Sequence, residues 1–175
     1  DLHDMNRAEI ENAVENEEIE LGVVILSNVT ERDRFGHHVL LRSRRQLWTS
    51  ADHPLLKKDN AALEDIAAYP YIQVTVDEGE LSTQRYWQAR GIAPNVAFRT
   101  GAVEALRGLI AHGFGVTILS DMMYRPWSLE GKKIESRPIL DVVPDMEVGL
   151  IWKRSAELAR PADAFRQFLI QACGS

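Results

Sequence analysis

Apolar residues recur at helical spacing from about Asn6 to Asn16, with Ile10, Ala13 and Val14 on one face and Asn6 three residues ahead of Glu9 in capping order. The β-branched run Leu21 to Leu26 then predicts a strand covered on both faces, closed by the polar loop Ser27 to Thr30. Residues 39–51 predict a mixed strand, in which Val39, Leu41, Leu47 and Trp48 surround Arg42, Arg44 and Arg45, until Asp52-His53-Pro54 stops it. Leu63, Ile66 and Ala67 mark a short helix ending at Tyr69-Pro70; residues 71–76 form the next strand and 77–80 a turn. Ser82 to Arg90 predicts a helix stopped by Gly91, and residues 95–99 a strand. Thr100-Gly101 opens the clearest helix, with Ala102, Leu106 and Leu109 on one face, which ends at His112-Gly113 before a strand over 116–119. Strands around 134–139 and 146–152 precede a last helix that Pro161 begins and Phe165, Phe168, Leu169 and Ala172 make amphipathic. Helices and strands alternate almost throughout, so the pattern predicts an α/β protein with parallel sheets of βαβ units.

Composition narrows the class. With 45% hydrophobic and 26% charged residues, the 175-residue chain can bury a sizeable core, and no stretch reaches the ~18 apolar residues a membrane span needs. Its formal charge of −6 argues against a nucleic-acid surface in this segment, and Arg42, Arg44 and Arg45 read as the exposed side of a strand. Cys173 is the only cysteine, which excludes an internal disulfide framework and suits a reducing cytoplasm. The chain opens almost directly on a helix, without an initiator Met or a signal peptide, and so reads as a piece of a longer protein.

Several phrases together resemble one family. Ser50-Ala51-Asp52-His53-Pro54-Leu55, Leu63-Glu64-Asp65-Ile66, Tyr69-Pro70-Tyr71-Ile72, the run from Ala102 through Gly113-Phe114-Gly115 to Leu119, Glu18 to Val23, and Pro161-Ala162 with Phe165, Phe168 and Leu169 follow the order of effector-binding domains of LysR-type transcription regulators. The resemblance implies a fold like type 2 periplasmic binding proteins: two α/β lobes joined by two crossing strands, with a ligand cleft between them. It implies lobe I over 1–50 plus 147–175, lobe II over 51–146, and crossings near Thr49-Ser50 and Val148-Gly149. It also implies a chain lacking the family's DNA-binding helix-turn-helix and the first strand–helix–strand of lobe I. A cytoplasmic homodimer or tetramer, a small-molecule effector and DNA contact only through the absent helix-turn-helix follow from the same likeness, with no membrane partner.

Ligands of open α/β sheets collect at carboxyl ends of strands and at helix N-termini. Three stretches qualify. Ser27 ends a lobe I strand and either donates to a ligand or caps its loop. Thr75 and Glu78 end the first lobe II strand, where 77–80 is equally a solvated turn. Arg99, Thr100, Gly101 and Ala102 lie where a strand enters a helix, which suits a carboxylate or another anion, although Thr100 equally suits an N-cap and Glu104 offsets the positive helix end. Phe114 is either an apolar wall of the site or core. No metal-ligand spacing, phosphate loop or nucleophile elbow occurs, so no metal, cofactor or catalytic residue is expected. The rival readings are a periplasmic solute-binding protein and a small α/β enzyme acting on a carboxylate metabolite.

Overall fold

In the computed structural model, which describes residues 1–76 and 79–173, Asn6 starts the first helix as its spacing predicts. The Glu9 amide donates to Asn6 Oδ1 at 3.0 Å while the Asn6 amide donates to Glu9 Oε2 at 2.9 Å. This reciprocal cap fixes α1 (Arg7–Glu15), which buries Ala13 and Val14. The chain divides into two compact units, Asp1–Arg42 with Met146–Ser175, and Ser43–Asp145.

Unit 1 is a three-stranded sheet in the order β1 (Gly22–Ile25), β8 (Met146–Lys153), β2 (Phe35–Ser43), with α1 and α5 (Arg160–Cys173). β1 runs antiparallel to β8, from Gly22 opposite Ile151 to Ile25 opposite Val148. Val14, Val24, Leu26, Val29, Phe35 and Ile151 form its core.

Unit 2 is centred on β3 (Arg45–Ser50), antiparallel to β6 (Thr117–Ser120) on one side and β7 (Ile134–Arg137) on the other. β4 (Pro70–Val74) and β5 (Asn95–Thr100) form a parallel pair. One parallel bridge between Tyr71 and Val116 ties that pair to β6: the Ile72 amide donates to Val116 O and the Val116 amide to Pro70 O, both at 2.9 Å. Side chains alternate across β3, so its two faces feed two cores. Leu47 packs with Leu63, Ile66, Tyr71, Trp87 and Ile118, on the side of α2 (Leu63–Ala67) and α3 (Gly79–Ala89). Trp48 packs with Ile72, Leu106, Ile110 and Ile134, on the side of α4 (Val103–Ala111). The sheet is thus covered by helices on both faces.

Two expectations are corrected. β4 and β5 pair in parallel, and the isolated Tyr71–Val116 and Ala61–Ile139 bridges are parallel, whereas β1 with β8 and β3 with β6 and β7 are antiparallel. Alternation of element types along a chain does not say which strands become neighbours, and strands distant in sequence pair either way without a crossover helix. The boundary expected near residue 50 lies at Ser43, and the return at Met146. The predicted long strand breaks at Arg44, and its second half, β3, is hydrogen-bonded on both sides to unit 2 strands.

The Gly-Phe-Gly turn has a clear physical role. The Gly113 amide donates to Ile110 O at 2.9 Å and the Phe114 amide to Leu109 O at 3.0 Å, closing α4 with a Schellman motif that requires the positive φ of 76° at Gly113. Gly115 follows, where a Cβ would stand 2.6 Å from Pro70 O.

Candidate functional site

The parallel pair ends in register, Val74 beside Thr100, and one further hydrogen bond runs from the Thr75 amide to Thr100 O at 3.0 Å. The chain then turns at Gly101, and a Cβ there would lie 3.6 Å from Thr75 Oγ1, so the Thr75 hydroxyl faces this turn. Thr100 Oγ1 accepts from the Ala102 amide at 3.0 Å. The N-cap of α4 is therefore Ala102 and not Thr100, and no side chain caps the helix. Without a side-chain cap, the first-turn amides of α4 and the positive end of its dipole remain available to an acceptor beside two half-buried threonines.

Glu104, which the sequence sets against that positive end, is paired with Arg107. Arg107 is buried and also donates to Met123 O at 2.5 Å, which fixes its guanidinium against the helix. The Glu104 charge is thereby partly compensated.

Thr75, Thr100, Gly101 and Ala102 are brought together at this strand end; Arg99, Phe114 and Ser27 are not. Arg99 is exposed on the edge strand β5, in register with Gln73, whose amide donates to Thr83 Oγ1 of α3 at 3.2 Å. Arg99 thus belongs to the α3 face, while Thr100 belongs to the α4 face. Phe114 lies beyond the other end of α4, about 13 Å of helix away, where it is 55% exposed and meets the Phe98 ring at 6.3 Å between centroids. It is neither core nor a wall of this site. Glu78 lies outside the described residues.

Ser27 lies in unit 1, in a single helical turn at the end of β1, and its Oγ accepts from the Glu147 amide at 2.7 Å. Glu147 in turn binds Arg32 at 2.7 Å and Arg42 at 3.0 Å. Burial pushes the Glu147 carboxyl up, but hydrogen bonds and charge from the two arginines outweigh it and hold the group below its ordinary value. Ser27 thus ties its turn to β8. Arg42 is an ion-pair partner and not simply the outer side of a strand.

Sequence reasoning missed the polar cluster that ends β6. Ser120 Oγ donates to Ser43 Oγ at 2.7 Å, and Gln46 Nε2 donates to Asp121 Oδ2 at 2.7 Å. Burial raises the Asp121 carboxyl, opposed by the Arg44 charge and the Gln46 bond. Through the Tyr71–Val116 bridge β6 runs parallel to β4, so Ser120, Thr75 and Thr100 end their strands on the same side of unit 2. Among the described residues no group of three or more His, Cys, Asp or Glu could hold a metal ion, and no helix is long and apolar enough to cross a membrane.

A family model described as the LysR substrate binding domain matches residues 1–174. The transcriptional dual regulator GltC of Bacillus subtilis (strain 168) is 28% identical over 170 residues, 91% of this chain and 52% of GltC. The chain spans between a quarter and about half of the length of the curated relatives it matches. HinK, a LysR family transcriptional regulator from Pseudomonas aeruginosa, has a TM-score of 0.85 at 19% identity, covering 98% of this chain and 59% of HinK. The regulatory domain of Synechocystis PCC6803 CcmR, solved in complex with 2-PG, has a TM-score of 0.80 at 19% identity, covering 96% of this chain and 80% of that domain. Identities at this level carry the fold, which is that of LysR effector-binding domains and so like type 2 periplasmic binding proteins. Matched by the family model over nearly its whole length, the chain belongs to the LysR substrate-binding domain family.

Proposed function

We propose that this chain is the sensing part of a transcription regulator, taking a small anionic metabolite at the ends of β4 and β5. Its occupancy alters how the parent protein, through a separate helix-turn-helix module, binds DNA. The observation that carries this reading is the start of α4, free of any side-chain cap, beside the Thr75 and Thr100 hydroxyls. Backbone amides and two hydroxyls suit carboxylate or phosphate oxygens, and the Arg107 partner of Glu104 lessens the repulsion an anion would meet. CcmR, a relative in fold, is solved with 2-PG, which supports a small molecule as ligand. Sensing requires differential affinity for two arrangements and no bond making; couplings of about 1–3 kcal/mol are sufficient for graded control. The family match favours this regulatory role over transport. In this reading the parent protein works as a cytoplasmic homodimer or tetramer.

A thermal-shift panel of small carboxylates and 2-PG tests the reading. A ligand at about 100 times its Kd adds about 2.7 kcal/mol of stability. Thr75→Ala and Thr100→Ala are expected to weaken the response to the active compound. Full response in both variants, or turnover of a carboxylate by the purified chain, refutes it.

A further inference from the structure

Unit 2 has a second concavity, on the α3 face of its sheet. Arg44, Arg45, Ile139, Val142, Val143 and Asp145 are among the residues that line this open cavity of about 250 Å³. β3, which carries Arg45, is separated from β4 by β6, and Arg45 lies on the α3 face. The cavity is therefore distinct from the strand end at Thr75 and Thr100.

Arg45 is the unusual residue. Its guanidinium donates to Pro144 O and, at 3.5 Å, to Ser82 Oγ, yet among the described residues no carboxylate lies within ion-pair distance of it. Arg32, Arg42, Arg90 and Arg107, by contrast, each have a carboxylate partner. Burial lowers the Arg45 pKa, with Tyr86, Tyr71 and Asp145 near enough to oppose that electrostatically. Arg45 is half-buried and, among the described residues, has no ion-pair partner, so an incoming carboxylate would supply one.

The other lining groups restrict what enters. Asp141 is already engaged by Arg90 and by the Leu63 amide at 2.7 Å. Arg44 also acts on Asp121 and Asp145 acts on Arg45, so the lining carries little net charge, which suits a monoanion over a dianion. Ile139, Val142 and Val143 supply an apolar wall, and Val142 is 96% exposed with nothing covering it. At ~30 Å³ per water the space equals about eight water molecules, which fits a small organic acid.

We infer that this cavity is a second ligand site, holding a small branched aliphatic monocarboxylate with its carboxylate on Arg45 and its tail against Ile139, Val142 and Val143. The site stands whether or not the strand-end reading holds.

Titration of the 175-residue chain with 4-methylpentanoate, followed by calorimetry and by amide and arginine Nε NMR shifts, tests the inference. Acetate and 4-methylpentan-1-ol serve as head-only and tail-only controls. Saturable binding of the acid is expected, with the largest shifts at Arg45, Val142 and Val143 and weaker binding of both controls. Arg45→Gln should raise Kd about ten- to a hundredfold. Val142→Asp adds a carboxylate at an exposed position with little folding cost, and should weaken binding even if Arg45→Gln does not fold. Absence of saturable binding, Val142→Asp binding as well as the wild type, or largest shifts at Thr75, Gly101 and Ala102 overturns the inference; the last result would leave the strand-end reading standing.

Discussion

Replacing Gly115 with Ala should destabilise unit 2, because the added methyl would lie 2.6 Å from Pro70 O and 3.1 Å from Ile72 Cγ1. The first separation is shorter than real Cβ contacts allow, and a backbone oxygen cannot swing aside as a side chain can. The local remedy is to part Val116 from β4, which forfeits the bonds from Ile72 N to Val116 O and from Val116 N to Pro70 O. Each is worth about 0.5–1.5 kcal/mol, and overpacking itself costs about 1–3 kcal/mol. A loss of about 2–4 kcal/mol is expected, or roughly 5–15 °C in Tm at 2–4 °C per kcal/mol. Gly108→Ala is the paired control, since a Cβ there meets nothing within 4 Å and the residue sits inside α4. It should gain about 0.5–1 kcal/mol through helix propensity. Urea denaturation of both variants by circular dichroism measures the difference. A Gly115→Ala protein within about 0.5 kcal/mol of wild type would refute the assigned bridge geometry, and a destabilised Gly108→Ala protein would refute the open space assigned beside α4.

Leu106→Ala should cost about 2–5 kcal/mol, because Leu106 is fully buried between α4 and the sheet; chemical denaturation reads this directly. Asn6→Ala removes the cap of α1 and should cost about 1 kcal/mol by the same measurement, with unit 2 unaffected. Glu147 has a depressed folded-state pKa, so its contribution is present above the ordinary carboxylate range and is lost as pH falls through the lowered value. Across that acidic window the wild type should lose more stability than Glu147→Gln, and parallel pH profiles would refute the ion-pair assignment.

Helix starts, turns and core faces were legible where local chemistry decides them. The spacing of Asn6 and Glu9 gave the capping box, and Gly113-Phe114-Gly115 gave the close of α4. Strand direction was not legible, since β1 pairs with β8 and β3 with β7 across long stretches of chain that leave no local trace. The meeting of Thr75, Thr100 and Gly101 at one strand end was readable from the strand–turn–helix order. The role of Thr100 was not, because whether a threonine caps a helix or the turn before it depends on two backbone angles, and here Ala102 takes the cap. Phe114 was misplaced because the Schellman turn points it outward, and the partner of Glu104 depended on the rotamer of Arg107. Ser43, Ser120 and Asp121 are polar residues at ordinary strand ends and meet only through sheet order.

The interrupted layout of unit 1 has a bearing on synthesis. Its β1 and β2 leave the ribosome early but flank β8, and even the Ser27–Glu147 hydrogen bond spans 120 positions. Everything unit 2 needs, by contrast, lies in one unbroken segment. During translation the inner segment can therefore mature first, while the early strands wait with open edges for a partner not yet made. Chaperone dependence and nascent-chain proteolysis should accordingly concentrate on the first forty or so residues until β8 emerges.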